Sequence, residues 1–127
     1  MKKNYASLLL ILLWSLNSFA QIHINEYSAS NLEFFLDNYG KTEDWIELYN
    51  TSSNAVDISG WHISDKADKP GKWAIPNGTI IPANDHLVFL CSGRDGKFYG
   101  EYHTNFKLTQ TEGSDLVLLS DAKSLSP

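Results

Sequence analysis

Glu43–Asn50 reads EDWIELYN. Along an extended chain Ile46 and Leu48 fall on one side, and Trp45, Glu47 and Tyr49 on the other. A period of two belongs to a strand with one buried face, because successive side chains of a strand point to opposite faces. Upstream, Gln21–Tyr27 (QIHINEY) alternates again and places Ile22, Ile24 and Glu26 together. Downstream, short apolar runs recur at Val56–Ile58, Trp61–Ser64, Lys72–Ile75, Thr79–Ile81, His86–Cys91, Asn105–Thr109 and Asp115–Ser120. Turn-rich stretches separate them at Thr51–Asn54, Asp68–Gly71, Pro76–Gly78, Pro82–Asp85 and Ser92–Gly96. Many short strands with a turn about every 8–12 residues predict an all-β sandwich or barrel.

Particular residues refine that expectation. Ser59-Gly60 falls where two strands are expected to reverse, since glycine reaches positive φ without a steric penalty. Pro76 and Pro82 bracket a short run, which suits an edge strand because proline cannot donate to a ladder. Leu87–Leu90 and Leu116–Leu119 are apolar on both faces. They read as central strands, or as strands with one face awaiting a neighbouring domain. Trp61, Trp73, Phe89 and Phe106 are the large side chains expected between the sheets. Asn31–Gly40 (NLEFFLDNYG) reads as a helical turn or a long loop whose Leu32, Phe34, Phe35 and Leu36 fold back onto the sandwich.

The chain has 127 residues, 43% hydrophobic and 20% charged, which is globular composition for one domain. Its first twenty residues read as a cleaved signal peptide. Lys2 and Lys3 form a positive start, Leu8–Leu16 an apolar run, and Ser18-Phe19-Ala20 a small-residue cleavage site before Gln21. The apolar run is shorter than the about 20 residues that span a bilayer, so no membrane span is expected in the mature chain. The mature domain, 21–127, then has 107 residues. Losing two lysines and no acid takes the net charge from −5 to −7. That charge argues against a nucleic-acid partner, which needs clustered Lys and Arg. Cys91 is the only cysteine, so no intrachain disulfide forms, and its aliphatic neighbours read as a buried, inert thiol.

In order and spacing these segments carry a resemblance. INE at Ile24–Glu26 is followed by DWIELYN at Asp44–Asn50 and VDISGW at Val56–Trp61. Ser64-Asp65, WAIP at Trp73–Pro76 and GTIIP at Gly78–Pro82 come next. LVFLCSG, TNFKL and GSDLVLLSD complete the set at Leu87–Gly93, Thr104–Leu108 and Gly113–Asp121. The set resembles the bacterial branch of the lamin tail domain family over about Ile22 to Asp121. The resemblance implies an immunoglobulin-like β-sandwich that serves as a module rather than an enzyme. In nuclear lamins such a domain follows the rod as a docking surface. In bacteria similar domains occur in exported proteins, beside secreted nucleases or phosphatases, spore-coat-kinase-like domains and cell-surface sorting domains. No coiled-coil rod is present in this sequence, so a filament role does not carry over. The expectation is an exported binding, spacing or surface-attachment module, secreted, periplasmic or on the outer surface of a bacterium. Its partner would be a protein or cell-surface polymer, and a covalently linked domain is expected beyond Pro127. The alternative is an accessory domain of a truncated secreted hydrolase, nuclease or spore-coat-kinase-like protein.

Chemistry-bearing residues are few. Glu26, Asp44 and Glu47 lie on or beside two early strands and could hold calcium through oxygen ligands. The preferred reading is structural, with Glu26 and Glu47 accepting hydrogen bonds. Asp37-Asn38-Tyr39-Gly40 lacks the oxygen spacing of an EF-hand loop and reads as a turn. His23, His62, His86 and His103 show no metal-ligand spacing, and three fall at alternating strand positions that suit an outward-facing side chain. Ser92-Gly93 and Ser59-Gly60 lack a nucleophile elbow, so no cofactor and no catalytic residue is expected. Trp45, Glu47 and Tyr49 project together and form the candidate contact face, since aromatic residues with a polar handle are enriched at interfaces. The competing reading packs Trp45 under the Asn31–Gly40 loop.

Overall fold

The computed structural model describes residues 21–29, 36–108 and 116–121. The signal-peptide reading and Leu32, Phe34 and Phe35 lie outside them. Within them the regular structure is all strand: β1 (Ile22–Ser28), β2 (Asp44–Asn50), β3 (Val56–Asp57), β4 (His62–Ser64), β5 (Trp73–Ala74), β6 (Ile80–Ile81), β7 (His86–Cys91), β8 (Gly96–Phe98), β9 (Glu101–His103) and β10 (Leu118–Ser120).

The alternation of Glu43–Asn50 is realised. Ile46 and Leu48 have no exposed surface, while Trp45, Glu47 and Tyr49 are half-buried on the opposite face. β2 runs antiparallel between β1 and β7. β7 in turn pairs in parallel with β9, and β8 closes the row, giving the order β1-β2-β7-β9-β8. β7 is thus a central strand, as its two apolar faces predict. The β8–β9 hairpin is not expected from the sequence. Its two-residue loop, Tyr99-Gly100, has φ of 50° and 85°. Two positive values define a type I′ turn, whose twist matches that of the flanking strands.

The second layer is one long hairpin with a crease. Val56 and Asp57 pair with Ile81 and Ile80, and His62 and Ile63 pair with Ala74 and Trp73. The chain therefore keeps its heading through Ser59-Gly60; the expected reversal does not occur. Instead two tight turns face each other across the hairpin. In one, the Trp61 N–H donates to the Ile58 carbonyl at 3.0 Å, and Gly60 takes φ 75°. That is the third position of a type II turn, which favours glycine. In the other, the Thr79 hydroxyl donates to the Pro76 carbonyl at 2.7 Å. The Ser59 hydroxyl joins the two by accepting the Gly78 N–H at 2.9 Å. β10 adds to this layer beside β4. Leu116–Leu119 therefore lead into an edge strand, not a central one, and Leu116 is exposed.

The core lies between the layers. Ile22, Ile46, Leu48, Phe89 and Cys91 come from the five-stranded sheet, and Ile58, Ile63, Trp73, Ile75 and Ile81 from the hairpin. The Trp73 ring meets Phe89 edge-on at 5.9 Å, linking the two layers. Phe106 and Leu108 complete the cluster from an irregular segment. Residues 105–108 form no strand, contrary to expectation. Trp61, expected between the sheets, is only half-buried, at the margin of the core. The architecture is an immunoglobulin-like β-sandwich.

One irregularity matters for the outer face. Ile24 pairs with Leu48, but Glu26 pairs with Glu47, so Asn25 is an extra residue in β1. Such a β-bulge breaks the alternation. Glu26 therefore leaves the side of Ile22 and Ile24, where the sequence pattern put it, and joins the side of Glu47.

Candidate functional site

The outer face of the five-stranded sheet is built in cross-strand rows. His23, Tyr49 and His86 form one row, Glu26, Glu47 and Val88 the next, and Ser28, Trp45 and Leu90 the third. Trp45, Glu47 and Tyr49 are the β2 members of these rows. The Tyr49 and His86 rings stack at 4.2 Å with an interplanar angle of 15°. Glu47 accepts a hydrogen bond of 2.7 Å from the Asn25 side chain and lies 3.9 Å from His86 Nε2. The bulge thus delivers both Asn25 and Glu26 to Glu47. Like charges directly opposite each other disfavour the pairing, and the Asn25 amide offsets part of that cost at Glu47.

The proposed calcium trio is not assembled. Asp44 alternates onto the face of Ile46 and pairs with Cys91, whereas Glu26 and Glu47 stand on the other face. Among the described residues no group of three His, Cys, Asp or Glu side chains is placed to hold a metal ion.

The β9 end of the same face is covered. Residues 36–42 form a small hairpin: Leu36 bridges to Thr42, and the Asp37 N–H donates to the Lys41 carbonyl at 2.9 Å. Asp37-Asn38-Tyr39-Gly40 is the turn its composition predicts. Leu36, expected to fold inward, is instead 64% exposed. Asp37 is buried at the centre of the turn. Its carboxylate accepts the N–H groups of Tyr39 (2.9 Å) and Lys41 (2.8 Å) and the Arg94 guanidinium (2.6 Å). Burial pushes its carboxyl up, but these hydrogen bonds and the Arg94 charge outweigh that and hold it below the ordinary carboxylate range.

Beneath this turn lies His103, with no exposed surface. It stands on the outer side of β9, beside Leu90, yet is shut off from solvent. Its Nδ1 is 2.8 Å from the Ser92 hydroxyl, while its Nε2 is buried without a hydrogen-bond partner among the described residues. Burial first, and the nearby Arg94 charge second, hold the imidazole below its ordinary range and keep it neutral. A hydroxyl next to an imidazole is the pairing of a nucleophile and its base. Here the imidazole is sealed off, and the Glu101 carboxylate is 3.7 Å from Nε2, too far for an orienting hydrogen bond. Ser92 is itself buried and accepts the Arg94 N–H at 3.2 Å. The pair acts as a structural tie between the end of β7 and β9.

Sequence reasoning missed this second cluster because its members are far apart in the chain. Arg94 lies 57 residues from Asp37, and neither belongs to a motif. Cys91, on the core side, fits its reading as inert: burial pushes its thiol up to about 12.

A search of curated proteins finds no match to this chain. The sequence does match the Lamin Tail Domain family over residues 17–125. That span includes every strand described above and both halves of the outer face, and the chain belongs to the Lamin Tail Domain family.

Proposed function

We infer that the protein is an exported, non-catalytic module that attaches to a protein or cell-surface polymer through Trp45, Glu47 and Tyr49. The observation that carries this reading is the stacked Tyr49–His86 pair beside the Glu47–Asn25 hydrogen bond, on a sheet face turned away from the core. A rigid aromatic surface with adjacent polar groups offers contact area at low entropic cost. Export rests on the N-terminal pattern of Lys2, Lys3 and Leu8–Leu16. The absence of catalysis rests on the sealed Ser92–His103 pair and on the family's modular character.

The test uses the chain as secreted by an expressing bacterium. Its N-terminus by mass spectrometry should be at Gln21. Washed cell envelopes from that bacterium should then sediment the domain, and W45A/Y49A should weaken sedimentation about tenfold or more, the effect of losing one interfacial anchor. Equal sedimentation of a folded W45A/Y49A protein, or retention of Met1, would refute the proposal.

A further inference from the structure

The turn at 37–41 is held on the sheet by hydrogen bonds, ring contacts and an ion pair. The Asn38 N–H donates to Glu101 Oε2 at 2.8 Å, and the Asn38 side chain donates to the Tyr99 carbonyl at 2.9 Å. The Tyr39 ring makes T-shaped contacts with Tyr99 and His103, each at 5.9 Å, and the Arg94 guanidinium lies over the same ring at 4.0 Å from its centroid. Arg94 in turn is paired with Asp37. His103 is the floor on which this turn rests.

We propose that the turn is a proton-operated cover: a proton taken up by His103 in mild acid lifts residues 37–41 off the five-stranded sheet. Among the described residues four charged side chains face the imidazole. They are Asp37 from the turn, Glu43 just before β2, Glu101 from β9 and Arg94 from the segment after β7. Ser92, Tyr39 and Phe98 contribute only uncharged groups. Both oxygens of Asp37 are committed, one to two backbone N–H groups and one to Arg94. Glu43 lies 3.8 Å from Arg94, so the guanidinium already draws on two carboxylates.

Within 4.0 Å, among the described residues, an imidazolium at this position has one carboxylate, Glu101, whose Oε2 is 3.7 Å from Nε2; Asp37 acts on it from farther off and is already paired with Arg94. The same Glu101 oxygen latches the Asn38 N–H. If Glu101 closes on the Nε2–H of the imidazolium, it pulls away from Asn38 and unlatches the turn. If it stays, a cation is left buried and unpaired beside Arg94, which is costly. Lifting the turn lets water reach the ring and removes both conflicts.

The sign follows from linkage. With the turn lifted, His103 titrates near the ordinary ~6.5; with it closed, burial and Arg94 keep it lower. The open form therefore binds the proton better. The closed form is fully favoured above about pH 6.5 and loses that advantage as pH falls through the lower value. Asp37 protonates only below its ordinary value of 3.8, so it takes no part in this range.

Native-state hydrogen exchange of the whole chain tests the proposal, with rates corrected for the intrinsic pH dependence. One linked proton changes an opening equilibrium by at most tenfold per pH unit, so protection of the Asn38 amide, whose acceptor Glu101 lies on β9, should drop about five- to thirtyfold between about pH 7.5 and 5.0. Core β2 amides should change by less than about twofold, since the cover is local. H103Q should abolish the pH dependence. If H103Q does not fold, an NMR titration of His103 in the native protein decides. A midpoint below about 6.5 supports the proposal and one at or above it refutes it. Unchanged protection, an equal drop in the core, or a drop that persists in H103Q also overturns it.

Discussion

Asn50 has no exposed surface, and its amide is spent entirely inside the fold. Its nitrogen donates to the carbonyls of Asn54, Ile81 and Pro82 at 2.8–3.0 Å. Its oxygen accepts the Ser52 N–H and hydroxyl at 3.0 and 2.8 Å. One side chain thus ties the β2–β3 turn to the end of β6. Leaving several of these groups unsatisfied in a buried site should make N50A cost about 2–4 kcal/mol, at about 1–3 kcal/mol per orphaned group. Urea denaturation measures it; a loss below about 0.5 kcal/mol would show that water replaces the amide. Alternation places Asn50 on the inward row of β2, but nothing in EDWIELYN says what a buried amide there would bond. The same limit applies to His103. Its strand position puts it on the outer face, and only the distant turn at 37–41 makes that position buried.

Strands were legible where one face is buried and the element is long enough to repeat. β1, β2 and β7 each have six or seven residues, so their alternation shows over three periods. β8 and β9 have three residues each and show no period at all. Their signal lies in the loop, where Gly100 follows Tyr99. A Cβ at Gly100 meets nothing within 4 Å, so any cost of substitution comes from its φ of 85°. G100A should therefore destabilise the domain by about 1–2 kcal/mol, the left-handed penalty for an L-residue, without disturbing packing. A thermal melt of G100A indistinguishable from the parent would argue against the type I′ assignment. Ser59-Gly60 is ambiguous in the sequence for a related reason. Glycine announces positive φ, but a positive φ serves a crease as well as a reversal. Only the pairing of both flanking strands with 73–81 distinguishes the two.

At the scale of the molecule, stability concentrates where the layers touch. Trp73 is 3% exposed, meets Phe89, and donates its Nε1–H to Asp95 at 2.8 Å. W73A should cost about 3–5 kcal/mol, a large share of the about 5–15 kcal/mol that holds a domain together. W61A, at the margin, should cost about 1–2 kcal/mol, as expected when only part of a side chain leaves water. Paired urea melts check the order, and a reversed ranking would place the layer contact elsewhere. The sandwich and most of its core residues could be read from patterning, while edge positions and corners could not, because they depend on which strands become neighbours. The bulge at Asn25 belongs to this class. Among the described residues β1 is an edge strand of its sheet, and an edge of regular spacing is a template on which another chain can crystallise its own backbone. Deleting Asn25 would keep the pairs Ile24–Leu48 and Glu26–Glu47 in step and leave a straight ladder. That variant should self-associate with rising concentration in light scattering while the parent stays unchanged, and equal scattering would remove this role from the bulge. On this view the extra residue is a defence against fibre growth: one misfit in the lattice row keeps neighbouring copies from propagating a cross-β stack.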